Sequence, residues 1–365
     1  VIHGDSAKLM PKFLKPDSVD LVATDPPYGI KLMNNSWDEV LPDKKIWEAC
    51  YKAMRPGAFL VAMSATRMYH RLACDIEDVG FKIKDALAWT YASGFPHGKD
   101  ISKEIDREKG LKRKIIGKRK HPTLRRKPKV KSRAYLTHSL NSDENLESWD
   151  ITEPACEEST RLQGYNTHLK PAIELLTLAQ KPYENTIVEN VLKYGTGVIN
   201  IDDCRIPYLD EKDKDAIGSF EHFEGKDYGD KKFFSANADG KKQVNIHPGG
   251  RYPSNLMYSE PLFGKDYDKI FMIPKPSSNE KFNAGHDTVK PIELFCRLIS
   301  LFSPNPSAVK RNVLVVDSFC GSGTTGISCK KMSRDFMGFE IDKDMCEQAR
   351  KRISGYHCSK DIFLK

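Results

Sequence analysis

The residues Asp25-Pro26-Pro27-Tyr28 end an apolar run, Val19-Asp20-Leu21-Val22-Ala23-Thr24, and combine a carboxylate, a rigid turn and an aromatic face. Two consecutive prolines fix φ and remove two backbone donors, so the chain leaves the strand with free carbonyl acceptors. A planar group bearing an NH2 can lie on the Tyr28 ring while the Asp25 carboxylate and the Pro26 carbonyl accept its amino hydrogens. An adenine or cytosine drawn out of its helix fits that description. The plain alternative is a strand-end turn, with Asp as cap and Pro-Pro as breaker.

A second constellation lies near the other end of the chain. Val313-Leu314-Val315-Val316-Asp317 reads as a strand running into Ser318-Phe319-Cys320-Gly321-Ser322-Gly323-Thr324-Thr325-Gly326. A helix follows, and the next strand, Phe336-Met337-Gly338-Phe339, ends on Glu340. Strand, glycine-rich turn, helix and a strand-ending acid make half of a Rossmann-type nucleotide unit. The glycines admit a ligand close to the backbone, and Glu340 can accept both hydroxyls of a ribose. Nicotinamide, flavin or S-adenosylmethionine would each satisfy these residues, and glycines kept only for tight packing are the alternative.

Between these sites the pattern alternates. Helical spacing covers residues 6–14, 44–54 and 69–79, and strands are predicted at 19–24, 58–63, 81–89 and 171–180. Residues 291–302 and 343–353 complete the helices. Such alternation implies an α/β fold with a doubly wound, mostly parallel sheet. Residues 182–280 show no clear period, although basic and aromatic side chains interleave there, as groove contact with stacking, or loop anchoring, would require.

The chain has 365 residues, 58 Lys and Arg against 50 Asp and Glu, and a net charge of +8, a balance that favours a polyanionic partner. Its charge is also segregated. Residues 112–133 hold twelve Lys and Arg and no acid, whereas residues 143–158 hold seven acids and no Lys or Arg. Neither block suits a core. The basic block, including Lys112, Arg113, Lys114, Lys118, Arg119, Lys120, Arg125, Arg126 and Lys127, can neutralise phosphates, or it is a solvated loop; the acidic block is a cover or a solvated loop. Nine cysteines without a CxxC pair suggest reduced cytosolic thiols rather than disulfides or zinc. No apolar run is long enough for a membrane span. The chain opens on Val1 without Met, which suggests that the natural N-terminus is missing.

Read together, Asp25-Pro26-Pro27-Tyr28, Asp317-Ser318-Phe319-Cys320-Gly321-Ser322-Gly323 and His286-Asp287-Thr288-Val289-Lys290-Pro291 resemble the amino-group DNA methyltransferases, which act on adenine N6 or cytosine N4. The target-amine motif precedes the cofactor motif, as in the permuted β-group order. The resemblance covers roughly residues 1–105, 165–207 and 250–353, and includes Gly94-Phe95-Pro96 and Thr167-His168-Leu169-Lys170-Pro171. It implies a Rossmann-like S-adenosylmethionine-dependent methyltransferase fold with an inserted target-recognition region. It places catalysis at Asp25, Pro26, Pro27 and Tyr28, and the cofactor at Asp5, Asp317, Phe319, Gly321, Gly323 and Glu340, with His286, Thr288 and Lys290 at its methionine end. Asp287 and Ser318 depart from the family pattern, in which proline is usual at both positions.

The implied organisation is a catalytic half at 1–105, a charged insertion at 106–164, a return to the sheet at 165–207, a target-recognition region at 208–280 and a cofactor half at 281–365. The implied activity is methyl transfer to a flipped base in double-stranded DNA, adenine N6 first and cytosine N4 second. An RNA amino-methyltransferase and an inactive DNA-binding relative are the rivals. The resemblance is compatible with a homodimer and a cognate restriction enzyme, requires neither metal nor membrane, and suggests a cytoplasmic, nucleoid-associated protein.

Overall fold

A computed structural model describes residues 1–31, 36–91, 98–120, 148–208, 211, 247–259, 271–272 and 289–356. The chain divides into two units, Val1–Tyr91 with Ile173–Lys365, and Ala92–Ala172.

The larger unit is built on one sheet. Its strands are β1 (Ile2–His3), β2 (Val19–Thr24), β3 (Met54–Ala65) and β4 (Lys82–Thr90). After the second unit, which contributes β5 (Lys114–Lys120) and β6 (Ser148–Glu153), come β7 (Ile173–Gln180), β8 (Leu256–Tyr258), β9 (Phe271–Met272), β10 (Leu314–Asp317) and β11 (Asp335–Glu340). The order is β1-β11-β10-β2-β3-β7-β4-β8-β9. All pairings are parallel except those of β7, which runs antiparallel to both β3 and β4. Two apolar clusters cover the sheet. Within β2, Leu21 and Ala23 enter one and Val19 and Val22 the other, so the expected doubly wound architecture is present. Each fully buried aliphatic side chain contributes roughly 1.5–3 kcal/mol.

Helices α1 (Ser6–Phe13), α2 (Lys44–Ala53) and α3 (Tyr69–Asp78) fall where apolar spacing places them. Asp5 and Asp43 cap the first two by accepting from Ala7 N and Lys45 N. The strand predicted at 58–63 is longer: β3 begins directly at Met54, where α2 ends, and Gly57 at φ +78° donates its N–H to the Lys181 carbonyl. A register irregularity between Val19 and Leu21 accommodates Pro56 in the strand.

The stretch 182–280, read above as without clear period, contains a helix, α6 (Ile187–Tyr194), capped by Thr186 and ended by Gly195 at φ +76°. Ile187 and Val191 are partly buried and Glu189 and Lys193 exposed, but one polar and two apolar residues depart from that division. Asn190 is 4% exposed and donates to the Thr196 carbonyl, while Val188 and Leu192 are 63% and 82% exposed. The remaining helices of this unit among the described residues are α7 (Ile292–Phe302), α8 (Pro306–Val309), α9 (Thr324–Lys331) and α10 (Lys343–Ser354). No helix among the described residues is long and apolar enough to cross a membrane.

The smaller unit contains α4 (Ile101–Glu108), α5 (Glu157–Arg161) and the antiparallel pair β5–β6. It is wider than the charged insertion expected at 106–164. Part of the acidic block is not a loop: β6 lies against the basic block, with Lys114 opposite Glu153 and Lys118 opposite Asp150. Arg113 is a structural ion. Its guanidinium bonds Asp106 at 2.5 Å, Ser102 and Thr152, and the two side chains are 12% and 1% exposed.

Candidate active site

Parallel strands bring their carboxyl ends to one edge, and β2, β10 and β11 are neighbours there. Thr24 ends β2 and Asp317 ends β10. The Thr24 hydroxyl donates to Asp317 Oδ1 at 2.7 Å, joining two motifs 293 residues apart. Asp317 also accepts from Phe319 N at 3.0 Å and from the Thr325 hydroxyl at 2.5 Å. Burial nevertheless outweighs these bonds, and with the nearby Asp25 charge it pushes the Asp317 carboxyl up to about 6.

Asp25 follows Thr24 directly, and both of its oxygens have partners. The Tyr28 hydroxyl is 2.8 Å from Oδ1, and the Lys290 ammonium is 2.5 Å from Oδ2. The loop is held from its far side by Asp38, which accepts from Tyr28 N at 2.6 Å and Gly29 N at 3.1 Å. Gly29 has φ +67°, a turn that favours glycine. Pro26 is buried, while Asp25, Pro27 and Tyr28 are half-buried.

Glu174, which motif reading passed over, completes this group. Its Oε2 lies 2.8 Å from the Tyr28 hydroxyl and 3.6 Å from the Lys290 ammonium. Because β7 is antiparallel, its first residues lie beside the carboxyl ends of β3 and β4, with Glu174 opposite Ala65 and Trp89. Burial, then the Asp25 and Glu174 charges, hold the Tyr28 phenol well above its ordinary value. Burial acts to lower Lys290, but the same two carboxylates outweigh it and raise the ammonium's pKa. Tyr91, just beyond β4, is also raised, by burial and by Glu174. Lys290 stands 5.3 Å over the Tyr28 ring. The residue matched by resemblance to a methionine-binding segment thus commits its ammonium to the two carboxylates at the amine motif.

The glycine turn is held by Glu340, which accepts from Gly321 N at 2.7 Å and from Asp342 N at 2.9 Å. Each oxygen retains a lone pair for a further donor. Gly321 has φ +48°, and a Cβ there would meet nothing nearer than the Phe319 carbonyl oxygen at 3.9 Å, leaving room for a ligand against the backbone. Gly323, at φ +82°, caps α9, and Arg352 donates to Ser322 and Thr324. Phe319 packs on Trp47 with ring centroids 6.2 Å apart. Asp5 sits at the end of β1, where Gly4 N donates to the Glu340 carbonyl, so it shares this edge of the sheet.

His286, Thr288, Asp287, Arg125, Arg126 and Lys127 lie outside the described residues, as does the Gly94-Phe95-Pro96 turn. Lys120 is described in its backbone alone. Lys112, Lys114, Lys118 and Arg119 are exposed on the second unit, and Lys114 pairs with Glu153 at 3.3 Å.

Comparison with known proteins identifies the family. The N6/N4 methylase profile, described as DNA methylase, matches residues 19–351, and the chain belongs to that family. The type II methyltransferase M2.MboI of Moraxella bovis is 33% identical over 93 residues, 26% of this chain and 31% of its own. M2.LlaDCHI of Lactococcus lactis subsp. cremoris is 31% identical over 91 residues, 25% and 32% respectively. The aligned stretches therefore span about a third of these relatives. Among solved structures, PvuII DNA methyltransferase (cytosine-N4-specific) is similar with a TM-score of 0.48 at 13% identity, covering 98% of this chain and 87% of that one. An M1.HpyAVI–SAM complex gives 0.41 at 16% identity, covering 96% and 97%.

Proposed function

We propose that this chain transfers a methyl group from S-adenosylmethionine to the exocyclic amine of a base extruded from double-stranded DNA, adenine N6 by preference. The observation that carries the reading is the Thr24–Asp317 bond, which sets the Asp25 carboxylate beside the glycine-turn edge of the sheet. Asp5, Asp317, Phe319, Gly321, Gly323 and Glu340 would hold the cofactor, with His286 and Thr288 assigned by resemblance. When bound, the cofactor supplies an electrophilic sulfonium methyl group.

The protein's own task is to prepare the amine. An aromatic exocyclic amine is a weak nucleophile because its lone pair is delocalised into the ring. Asp25 and the Pro26 carbonyl accept its hydrogens, localise the lone pair and fix its direction. Tyr28 replaces the stacking that extrusion removes, a loss of roughly a few kcal/mol. Exposed Lys112, Lys118 and Arg119 suit phosphate contact; Arg113, bound to Asp106, does not. Asp at the first motif position supports adenine, and cytosine N4 presents the same amine to the same acceptors.

Incubation with methyl-labelled S-adenosylmethionine and unmethylated genomic DNA or total RNA, followed by nucleoside mass spectrometry, tests the reading. N6-methyladenine in DNA is expected. N4-methylcytosine would move the base assignment, and label in RNA alone, or nowhere, would overturn the reading.

A further inference from the structure

The Tyr28 hydroxyl has one hydrogen, yet carboxylate oxygens of Asp25 and Glu174 both stand 2.8 Å from it. A phenol can donate to only one of them. The second contact becomes a hydrogen bond when one carboxyl carries a proton and donates to the phenol oxygen. The row Asp25–Tyr28–Glu174 therefore has places for two hydrogens, one more than the phenol supplies. Resting on the amine-transfer reading above, we infer that Tyr28 is a proton relay, and that Glu174 is the residue to which it delivers the proton released by the methylated amine.

The step balances. As the nitrogen lone pair forms the new N–C bond, the C–S pair stays with sulfur and the nitrogen becomes positively charged. Asp25, already an acceptor for the amine, takes the N–H proton, and that N–H pair returns to nitrogen. Protonated Asp25 then donates to the Tyr28 oxygen while the phenol hydrogen passes to Glu174. The phenol is never ionised, in keeping with burial and two acidic neighbours holding its proton on.

Lys290 gives the row its direction. Its ammonium lies 2.5 Å from Asp25 and 3.6 Å from Glu174, so it favours the anion more strongly on Asp25 and leaves Glu174 as the better seat for the proton. Asp25 is thereby reset as an acceptor. Tyr91, like Tyr28 and Lys290, is raised by Glu174, and it faces that carboxylate from beyond β4. Glu174 acts through Tyr28 and is a positioning residue in this scheme, not one that touches the base.

The test compares Glu174→Gln, Tyr28→Phe and the double variant on duplex DNA carrying a methylatable site. Either single change severs the row, so each should lower kcat by about 10- to 100-fold, at or below the low end of general acid–base contributions because Asp25 remains as first acceptor, with KM for DNA and cofactor within about twofold. The double variant should be no slower than the worse single one. The dependence of kcat on the D2O fraction should lose its curvature in all three. Independently of turnover, the ring-carbon signal of Tyr28 in 13C-tyrosine-labelled protein, identified by its loss in Tyr28→Phe, should move on Glu174→Gln in the free protein. Wild-type kcat in Glu174→Gln, or losses that multiply in the double variant, would overturn the relay. If Glu174→Gln fails to fold, an unchanged D2O dependence in Tyr28→Phe does so by itself. A wild-type enzyme that methylates no nucleic acid would instead remove the reading on which the relay rests.

Discussion

Asp25 accepts from a neutral phenol on one oxygen and faces an ammonium on the other, so its loss strips the amine motif of its acceptor while leaving Asp317 and Glu340 in place. Asp25→Ala should abolish methyl transfer with cofactor affinity within a few-fold of wild type, as measured by equilibrium dialysis beside the turnover assay. Unchanged turnover would sink the assignment. Lys290→Met leaves two carboxylates sharing one phenol without a cation, and turnover should fall at least about tenfold. The residues of this site were unevenly legible. Asp25 and Tyr28 announce themselves because proline geometry and side-chain chemistry are local. Glu174 does not, since its role depends on the direction of β7, and direction is a property of the sheet. Arg113 misled for the same reason: within a basic run nothing marks a cation whose buried partner, Asp106, waits on the preceding helix.

At the scale of elements, β2 is buried along its whole length although it contains Asp20. Arg311 donates to both Asp20 oxygens at 2.6 and 3.0 Å, Arg55 stands at 3.1 Å, and Leu314 N adds a bond at 2.9 Å. Asp20→Ala strands two arginines and should destabilise the protein by about 3–5 kcal/mol, read from the urea midpoint; a change near zero would show the arginines well satisfied without it. Gly323→Ala places a Cβ 3.0 Å from the Ile353 side chain at φ +82°. About 1 kcal/mol or more of stability should be lost, together with cofactor affinity. Strands and amphipathic helices were legible because burial imposes a period. Helix α6 carries the same signal, with Ile187, Val188, Val191 and Leu192 at helical spacing behind Thr186, and it is hidden only by the irregular sequence on both sides of so short an element.

For the whole molecule, Asp317 makes stability depend on pH. Its folded value, about 6, lies above the ordinary 3.8, so between pH 4 and 6 the folded chain holds a proton that the unfolded chain has released. Stability from this group is therefore complete below about pH 4, falls as pH rises through 6 and then levels. Wild type should gain roughly 2–3 kcal/mol relative to Asp317→Asn on going from pH 7 to pH 4, measured by denaturation at several pH values. A pH-independent difference would contradict the burial argument. Replacing exposed Lys112, Lys118 and Arg119 together by Gln should weaken binding to all duplexes alike and flatten its salt dependence; an unaltered slope would show that these side chains meet no phosphate.

The bond between Thr24 and Asp317 also has a consequence in time. Strand β2 is followed closely in the chain by its neighbour β3, but its other neighbour, β10, lies 293 residues further on. At roughly 5–20 residues per second, the ribosome leaves one edge of β2 without its partner for about 15 to 60 s. A nascent chain thus carries an open apolar strand edge, a target for chaperones, and the halves of the site can meet only after β10 has emerged from the exit tunnel.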